Sequence, residues 1–340
     1  MPHYKLALLG FGNVGKALAE LLIRKKDDIW TKTDMTFSVV GIATGSHGIA
    51  IDPDGIDLAQ ALDMVKSGQG IDLITKVPVS NSLELIQSCG ADVLVETTPV
   101  NYETGQPAID YIKAALELGM YVTTANKGPV VHAYTPLTEL AKSKGVEFYF
   151  ESTVMDGAPV FGLFRETIPA GNVQAFRGVL NSTTNLILSR MENGESYDDA
   201  VKYAQSIGIA ETDPSGDVDG WDAAIKVSAL ATVLMGTPTK PHNVDRIGIR
   251  DITPEQIAQA KSEGKRWKLV CEARLVSDQL RATVAPQKVG VESPLYWVEG
   301  TTSIIQIESD VLGKLSLIEE DPGPHTTAYG LLADFLNMVS

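Results

Sequence analysis

The sequence predicts an α/β fold: an open, doubly wound parallel sheet followed by an α+β domain. Three observations carry this. Short apolar runs alternate with helical stretches through residues 4–150, and a Gly-x-Gly-x-x-Gly loop joins the first run to the first helix. After residue 151 the pattern changes to long helices followed by strand-like runs. Strands alternating with helices build a parallel sheet covered on both faces.

Taken in order, residues 4–9 form a short buried strand that leads at once into Gly10, Phe11, Gly12, Asn13, Val14 and Gly15. Residues 16–25 follow with helical periodicity, placing Leu18, Leu21 and Leu22 on one face. Further strands are expected at 37–43, 92–96, 121–124 and 146–150, with helices at 108–118 and 137–144. In the second part, helices at 196–206, 222–235 and 254–262 precede strand-like runs between 267 and 307. The last stretch, 326–338, is apolar at helical spacing and is expected to fold back onto the first domain. The expected division is a first domain at 1–150, joined by the C-terminal helix 326–340, and a second at 151–325.

At 340 residues the chain is long enough for two cores. A net charge of −15 argues against a nucleic-acid or anionic-membrane partner, each of which needs a clustered basic surface. The two cysteines, Cys89 and Cys271, lie far apart without metal-ligand spacing and read as core thiols of a reducing compartment. With no leader segment and no apolar run of membrane-spanning length, the expected location is the cytoplasm.

The glycine loop has a definite physical reading in this context. Gly10 permits the tight turn, Gly12 lets backbone approach a pyrophosphate, and Gly15 lets helix and strand pack closely. The helix N-terminus then offers free N–H groups and partial positive charge to phosphates. Dinucleotide binding is expected, in a Rossmann-type domain. NAD-selective proteins usually close the second strand with a carboxylate on the ribose; here the strand ends in Thr44, Gly45, Ser46 and His47. Thr44 and Ser46 are therefore taken as cofactor residues, and NADP is favoured over NAD.

Later motifs carry a family resemblance. Thr123–Thr124, Ala125, Asn126 and Lys127 resemble the T-A-N-K segment of homoserine dehydrogenases. Residues 151–159, Glu-Ser-Thr-Val-Met-Asp-Gly-Ala-Pro, are similar to their E-A-T-V-x-x-G-x-P. Residues 181–188 resemble N-G-T-x-N-x-I-L. Residues 208–226 resemble the signature G-x-x-E-x-D-P-x-x-D-x-x-G-x-D-A-A-x-K. The matches keep the family's order from residue 10 to about 236. The resemblance implies a usually homodimeric enzyme interconverting L-homoserine and L-aspartate 4-semialdehyde with a nicotinamide cofactor, here in a short form without a regulatory ACT domain.

On that resemblance Lys226 is the proton donor, while Glu211 and Asp222 hold substrate; Asp217, Asn181 and Thr183 join the expected substrate site. Lys127, Thr97, Thr98, Gly208 and Gly323 join the glycine loop as cofactor-facing positions. Glu151, Val154, Asp156 and Ala158 match a monovalent-cation site, such as sodium, of hard oxygen ligands. The chemistry of the residues agrees. Reducing an aldehyde needs a proton for its oxygen, which a lysine supplies if burial or a second cation such as Lys127 lowers its pKa. Asp222 and Lys226, spaced i,i+4, share a helix face. Glu211, Asp213, Asp217, Asp219 and Asp222 form a carboxylate cluster suited to a substrate ammonium; the plainer alternative is an acidic, helix-capping loop.

The pattern departs from the family in three places. Ser182 replaces a glycine, Asp156 stands where a small residue is common, and residues 319–328 replace a glycine-rich loop, bringing in His325. The competing readings are a dehydrogenase of the same fold acting on another amino or hydroxy acid, and a silent nucleotide-binding sensor.

Overall fold

A computed structural model describes every residue except Asp278, which falls inside the strand-rich stretch 267–307. The chain forms two compact units, residues 1–159 with 323–340, and residues 160–322.

Unit one begins with β1 (His3–Leu9), α1 (Asn13–Thr33), β2 (Thr36–Ala43) and β3 (Ile49–Ile51). It continues through α2 (Leu58–Lys66), α3 (Ser82–Ser88), β4 (Val93–Glu96), α4 (Ala108–Glu117), β5 (Tyr121–Thr124), α5 (Lys127–Lys144) and β6 (Phe148–Tyr149). The sheet order is β3-β2-β1-β4-β5-β6, with the order reversing between β1 and β4. Such a reversal leaves a crevice at the carboxyl ends of the strands, where open α/β sheets bind ligands. Five strands run parallel, but β3 is antiparallel to β2. That corrects the all-parallel expectation. Thr44 N donates to Gly48 O (3.1 Å), and Gly48 at φ 78° completes a tight return, which can join only antiparallel neighbours.

Leu18, Leu21 and Leu22 of α1 pack with Leu6, Leu8 and Val39 of the sheet and with Leu331, Leu332 and Phe335 of the C-terminal helix. The sequence placed a helix at 137–144; α5 instead starts at Lys127. Gly128, Pro129 and Pro136 conceal it. Asn126 caps it, its side chain accepting from Gly128 N, and Pro129 sits in the first turn, where a missing N–H costs little. Ala133 (φ −143°, ψ 24°) marks a kink ahead of Pro136.

Unit two opens with α6 (Val160–Gly162) and a π-helical turn, then β7 (Val173–Val179), α7 (Ser182–Glu192), α8 (Tyr197–Ser206), α9 (Ser215–Val218) and α10 (Trp221–Leu234). Next come β8 (Asp245–Arg246), α11 (Pro254–Ser262), β9 (Lys265–Val276), β10 (Gln279–Gly290), β11 (Ser303–Ser309) and β12 (Gly313–Glu319). The sheet order is β12-β11-β7-β9-β10-β8, antiparallel except for the β10–β8 pair. Helices α7, α10 and α11 pack against β9. This is the α+β arrangement the sequence implied.

The C-terminal helix, α12 (Pro324–Met338), belongs to unit one. Buried Asp334 accepts from Thr123 Oγ1 and Glu151 N, both at 2.9 Å. A Cβ on Gly330 would stand 2.3 Å from Ser152 Oγ, so the helix docks this closely only because residue 330 is glycine. Among the described residues no helix is long and apolar enough to cross a membrane.

Candidate active site

In unit one the three glycines of the loop occupy three different environments. A Cβ on Gly10 (φ 99°) would lie 2.7 Å from Thr97 backbone and hydroxyl atoms, and one on Gly15 would lie 2.3 Å from Gly10 O. Gly12, by contrast, faces open space. Two glycines therefore allow close packing, and the third leaves room for a ligand to reach the backbone. Gly12 is also the N-cap of α1; no side chain caps that helix, and its first turn, including Asn13 and Val14, carries no acid. These features fit the diphosphate of a dinucleotide. Phe11 is buried in the core.

The ends of β4 and β5 form a polar network. Thr97 Oγ1 donates to Gly10 O (2.9 Å), tying this end to the glycine loop. Glu96, fully buried, accepts from Thr98 N (2.7 Å), from the Thr98 hydroxyl, and from Thr124 Oγ1 (2.6 Å). Burial pushes its carboxyl up, opposed by these donors. Lys127 opens α5, directly after Asn126. At the end of β2, the Thr44 hydroxyl accepts from His47 N (2.6 Å) and donates to Gly48 O (3.0 Å), so it shapes the turn. Ser46 Oγ lies 2.9 Å from His47 Nδ1.

Gly323 precedes α12 in extended backbone, its amide donating to Thr326 Oγ1 (2.9 Å). His325 is exposed and lines an open groove of about 560 Å³ with Asn13, Lys16 and Lys66. In the segment matching the cation site, Glu151 and Val154 are buried. Asp156 (φ 42°) accepts from Thr327 Oγ1 (2.8 Å), so its carboxylate is engaged by α12. Asp156 is thus held by α12, while the carboxylate of the segment's other acid, Glu151, is buried. No cluster of three acidic, histidine or cysteine ligands occurs among the described residues.

In unit two, α7, α9 and α10 bring five expected residues together. Lys226 Nζ lies 3.1 Å from Asp222 Oδ2 and donates to Leu180 O at 2.6 Å. The two side chains are 15% and 13% exposed, so the pair is sheltered yet reachable. Asn181, N-cap of α7, donates through Nδ2 to both Asp217 Oδ1 (2.7 Å) and Asp222 Oδ2 (3.1 Å). Burial, then the neighbouring Asp222 charge, push the Asp217 carboxyl up, while hydrogen bonds from Asn181 and Thr183 pull it back. Thr183 Oγ1 also donates to Ile209 O (3.3 Å). Apolar Ala223, Ala224 and Val227 seal the flanks of α10. Nearby Cys271 is buried and its thiol is pushed up to about 12, a core cysteine and not a nucleophile.

The five-carboxylate cluster divides. Asp217 and Asp222 converge on Asn181, whereas Asp213 caps Ser215 N (3.0 Å) and Asp219 pairs with Arg250 (Oδ2 to Nη2 3.2 Å). Glu211 is exposed on a loop held by Gln205 Nε2, which donates to the carbonyls of Glu211 and Thr212. Gly208 ends α8 at φ 75° with open space where a side chain would stand, and Ser182 is half-buried at the start of α7. The sequence reading missed three buried polar groups, Glu96, Lys268 and Asp334. Their only signal was a charged residue inside an apolar run.

Comparison with known proteins adds the family. The family described as homoserine dehydrogenase matches residues 159–336, and its NAD binding domain matches residues 10–151. The chain is 38% identical over 335 residues to a homoserine dehydrogenase of Methanocaldococcus jannaschii, covering 98% of each. It is 33% identical over 340 residues to an NAD(+)-dependent homoserine dehydrogenase of Pseudomonas canavaninivorans, covering 99% of this chain and 97% of the other. Among solved structures, a homoserine dehydrogenase from Thermoplasma acidophilum superposes with a TM-score of 0.85 at 26% identity, covering 99% of both chains. A hyperthermophilic archaeal homoserine dehydrogenase in complex with NADPH gives 0.83 at 30% identity, covering 99% of this chain and 98% of the other. With the glycine loop and the Asp222–Lys226 pair already in place, these matches establish that the chain belongs to the homoserine dehydrogenase family, whose members are NAD(P)-dependent oxidoreductases acting on a CH–OH group.

Proposed function

We propose that this chain interconverts L-homoserine and L-aspartate 4-semialdehyde, a step in threonine, methionine and isoleucine biosynthesis, and that it does so in the cytoplasm. The observation that carries the reading is the sheltered Asp222–Lys226 pair bridged by Asn181. When bound, the nicotinamide supplies or accepts the hydride. Lys226 Nζ gives its proton to the aldehyde oxygen in reduction and takes the hydroxyl proton in oxidation. Asp222 holds the lysine side chain in place and, with Glu211, Asp217, Asn181 and Thr183, recognises the substrate's ammonium end. Gly10 to Gly15, Thr97, Thr98, Lys127 and Gly323 form the cofactor side. Residues 1–150 with the C-terminal helix serve the dinucleotide, and residues 151–325 serve substrate and dimer contacts. A spectrophotometric screen of L-homoserine against other amino alcohols tests the substrate, and failure of homoserine to rank first would overturn it.

NADP is the preferred cofactor on this reading, because β2 ends without a carboxylate. With the Thr44 hydroxyl engaged in its own turn, Ser46 and His47 are left to meet a 2′-phosphate. Calorimetric titration giving equal or tighter binding of NADH would reverse the preference. The functional unit is a homodimer formed through the unit-two sheet. There, paired charges such as Arg274–Glu308 (2.9 Å) offer self-complementary contacts; a purely monomeric species in sedimentation would exclude it. A monovalent cation on Glu151 and the carbonyls of Val154, Asp156 and Ala158 is tested by exchanging sodium for choline, with lower activity expected.

A further inference from the structure

We propose that Glu96 is a positioning residue for the nicotinamide end of the dinucleotide, its carboxylate holding the loops at 97–99 and 125–128 in one geometry. The proposal rests on the nicotinamide-dependent reading of this chain.

Glu96 is the last residue of β4 and has no solvent exposure. A buried carboxylate is costly unless donors compensate it. Three do, and all come from the strand ends. Thr98 donates through its amide (2.7 Å) and its hydroxyl, and Thr124 donates through its hydroxyl (2.6 Å). Thr98 belongs to the first loop, and Thr124 leads into the second. The Thr124 oxygen in turn accepts from Asn126 N (2.9 Å). Asn126 Nδ2 donates back across to Thr98 O (3.2 Å) and Pro99 O (3.4 Å), while its Oδ1 accepts from Gly128 N (3.0 Å). The circuit thus runs from the carboxylate through both loops to the first turn of α5, which carries Lys127.

The sheet itself does not require this acid. β4 and β5 are already registered by backbone pairing, Val95 opposite Thr123 and Glu96 opposite Thr124. Replacing a buried charge by an apolar residue often leaves a scaffold as stable or more so, so a scaffold role alone gives no reason for an acid here. What the carboxylate adds lies beyond the last strand pair, in the two loops at the carboxyl edge where such sheets receive ligands. Thr97, next in sequence, ties the same edge to the glycine loop through Gly10 O.

The test uses the full chain and reads binding by calorimetry. Glu96→Gln keeps the size but turns one acceptor into a donor facing the Thr124 hydroxyl. Affinity for the reduced dinucleotide should fall about tenfold, the loss of one charge-assisted hydrogen bond's worth of order. Affinity for ADP-ribose, which has the diphosphate but no nicotinamide, should stay within about twofold. Should that variant fail to fold, Thr124→Val removes one donor and leaves the acid in place; about a threefold loss confined to the dinucleotide is then expected. Equal losses of both ligands, or no loss of either, overturn the proposal. Because binding and not turnover is read, a failure of the unaltered protein to oxidise homoserine would strike the substrate reading alone.

Discussion

Two lysines of unit two reach the same helix, α7, and the structure treats them in opposite ways. Lys226 sits by the helix start, sharing Asp222 with Asn181, and keeps 15% of its side chain exposed. Lys268, on β9, is 1% exposed and donates to Asn185 Oδ1 (2.9 Å), one turn further along, and to the Val298 carbonyl. Burial holds the Lys268 ammonium down to about 8, partly offset by Glu192. A lowered lysine pKa is a common mark of an acid–base catalyst. Lys268 carries that mark without access to any substrate, because it is buried and bonded to the scaffold. Lys226 has the access and the adjacent carboxylate. Perturbation reports burial; chemistry needs a reachable proton.

The sharpest way to break this contrast is to remove each lysine. Lys226→Ala should lower kcat by about 10²-fold or more, the usual contribution of a positioned acid–base group, with dinucleotide affinity nearly unchanged. Lys268→Met should leave kcat within about threefold at a temperature where it is folded. Steady-state kinetics on the two variants decides between them. A reversed ranking would make Lys268 the proton donor and return Lys226 to a helix ion pair.

Lys268 should show itself in stability instead. Its folded pKa, about 8, lies below the ordinary lysine value of 10.5. Between those values the unfolded chain holds a proton that the folded chain has released, so stability rises with pH through that window. The cost of the buried cation is fully present below pH 8 and is relieved towards pH 10.5, by up to ~3 kcal/mol. Urea unfolding at both ends of the window should show stability rising more steeply in the unaltered protein than in Lys268→Met; the buried Cys271 thiol, pushed up from 9.0 to about 12, lowers stability above pH 9 in both, so the difference between the two slopes is what Lys268 contributes. The methionine leaves Asn185 and Val298 acceptors without a donor, so the slope and not the absolute stability is the readout.

These two lysines also mark what the sequence could and could not reveal. The β1–loop–α1 unit was legible because its signals are local: an apolar run, three glycines at fixed spacing, and a helical face. That Asp222 and Lys226 share a helix face was legible for the same reason, four residues apart, but their role came only with the family resemblance. Lys268 meets Asn185 from 83 residues away, Glu96 meets Thr124 from 28, and Asp334 meets Thr123 from 211. Such partners are created by sheet register and helix docking, which periodicity does not encode. The β3 return was hidden similarly, since a three-residue strand gives no alternation to read.

Removing the carboxylate beside Lys226 should have a smaller effect than removing the lysine. Asp222→Asn keeps the shape and a contact to Lys226 but loses the charge that orients it and attracts an ammonium. An increase of about tenfold in KM for the amino-acid substrate is expected, with a lesser fall in kcat. If kcat alone fell, Asp222 would act only on the lysine and not on the substrate.

The smallest expected effect concerns Asp217, which separates the two regions most finely. It shares the Asn181 amide with Asp222, and its carboxyl is pushed up by burial and by the Asp222 charge. Two carboxylates this close take up their first proton as a pair, at a higher pH than either would alone. As pH falls, that proton weakens the negative field holding Lys226, so the acid limb of kcat/KM should stand above the ordinary carboxylate range. Asp217→Asn removes one charge of the pair and leaves the Asn181 bridge to Asp222 intact. The acid limb should then move down by roughly half a pH unit, a shift read from the shape of the profile and so separate from any fall in kcat/KM through weaker substrate binding. Lys268→Met, acting on the other end of α7, should leave the limb where it is. A limb that stays fixed in Asp217→Asn would mean that Asp222 titrates independently. A limb that moves in Lys268→Met would mean that the two ends of α7 are coupled and that the contrast between the lysines does not hold.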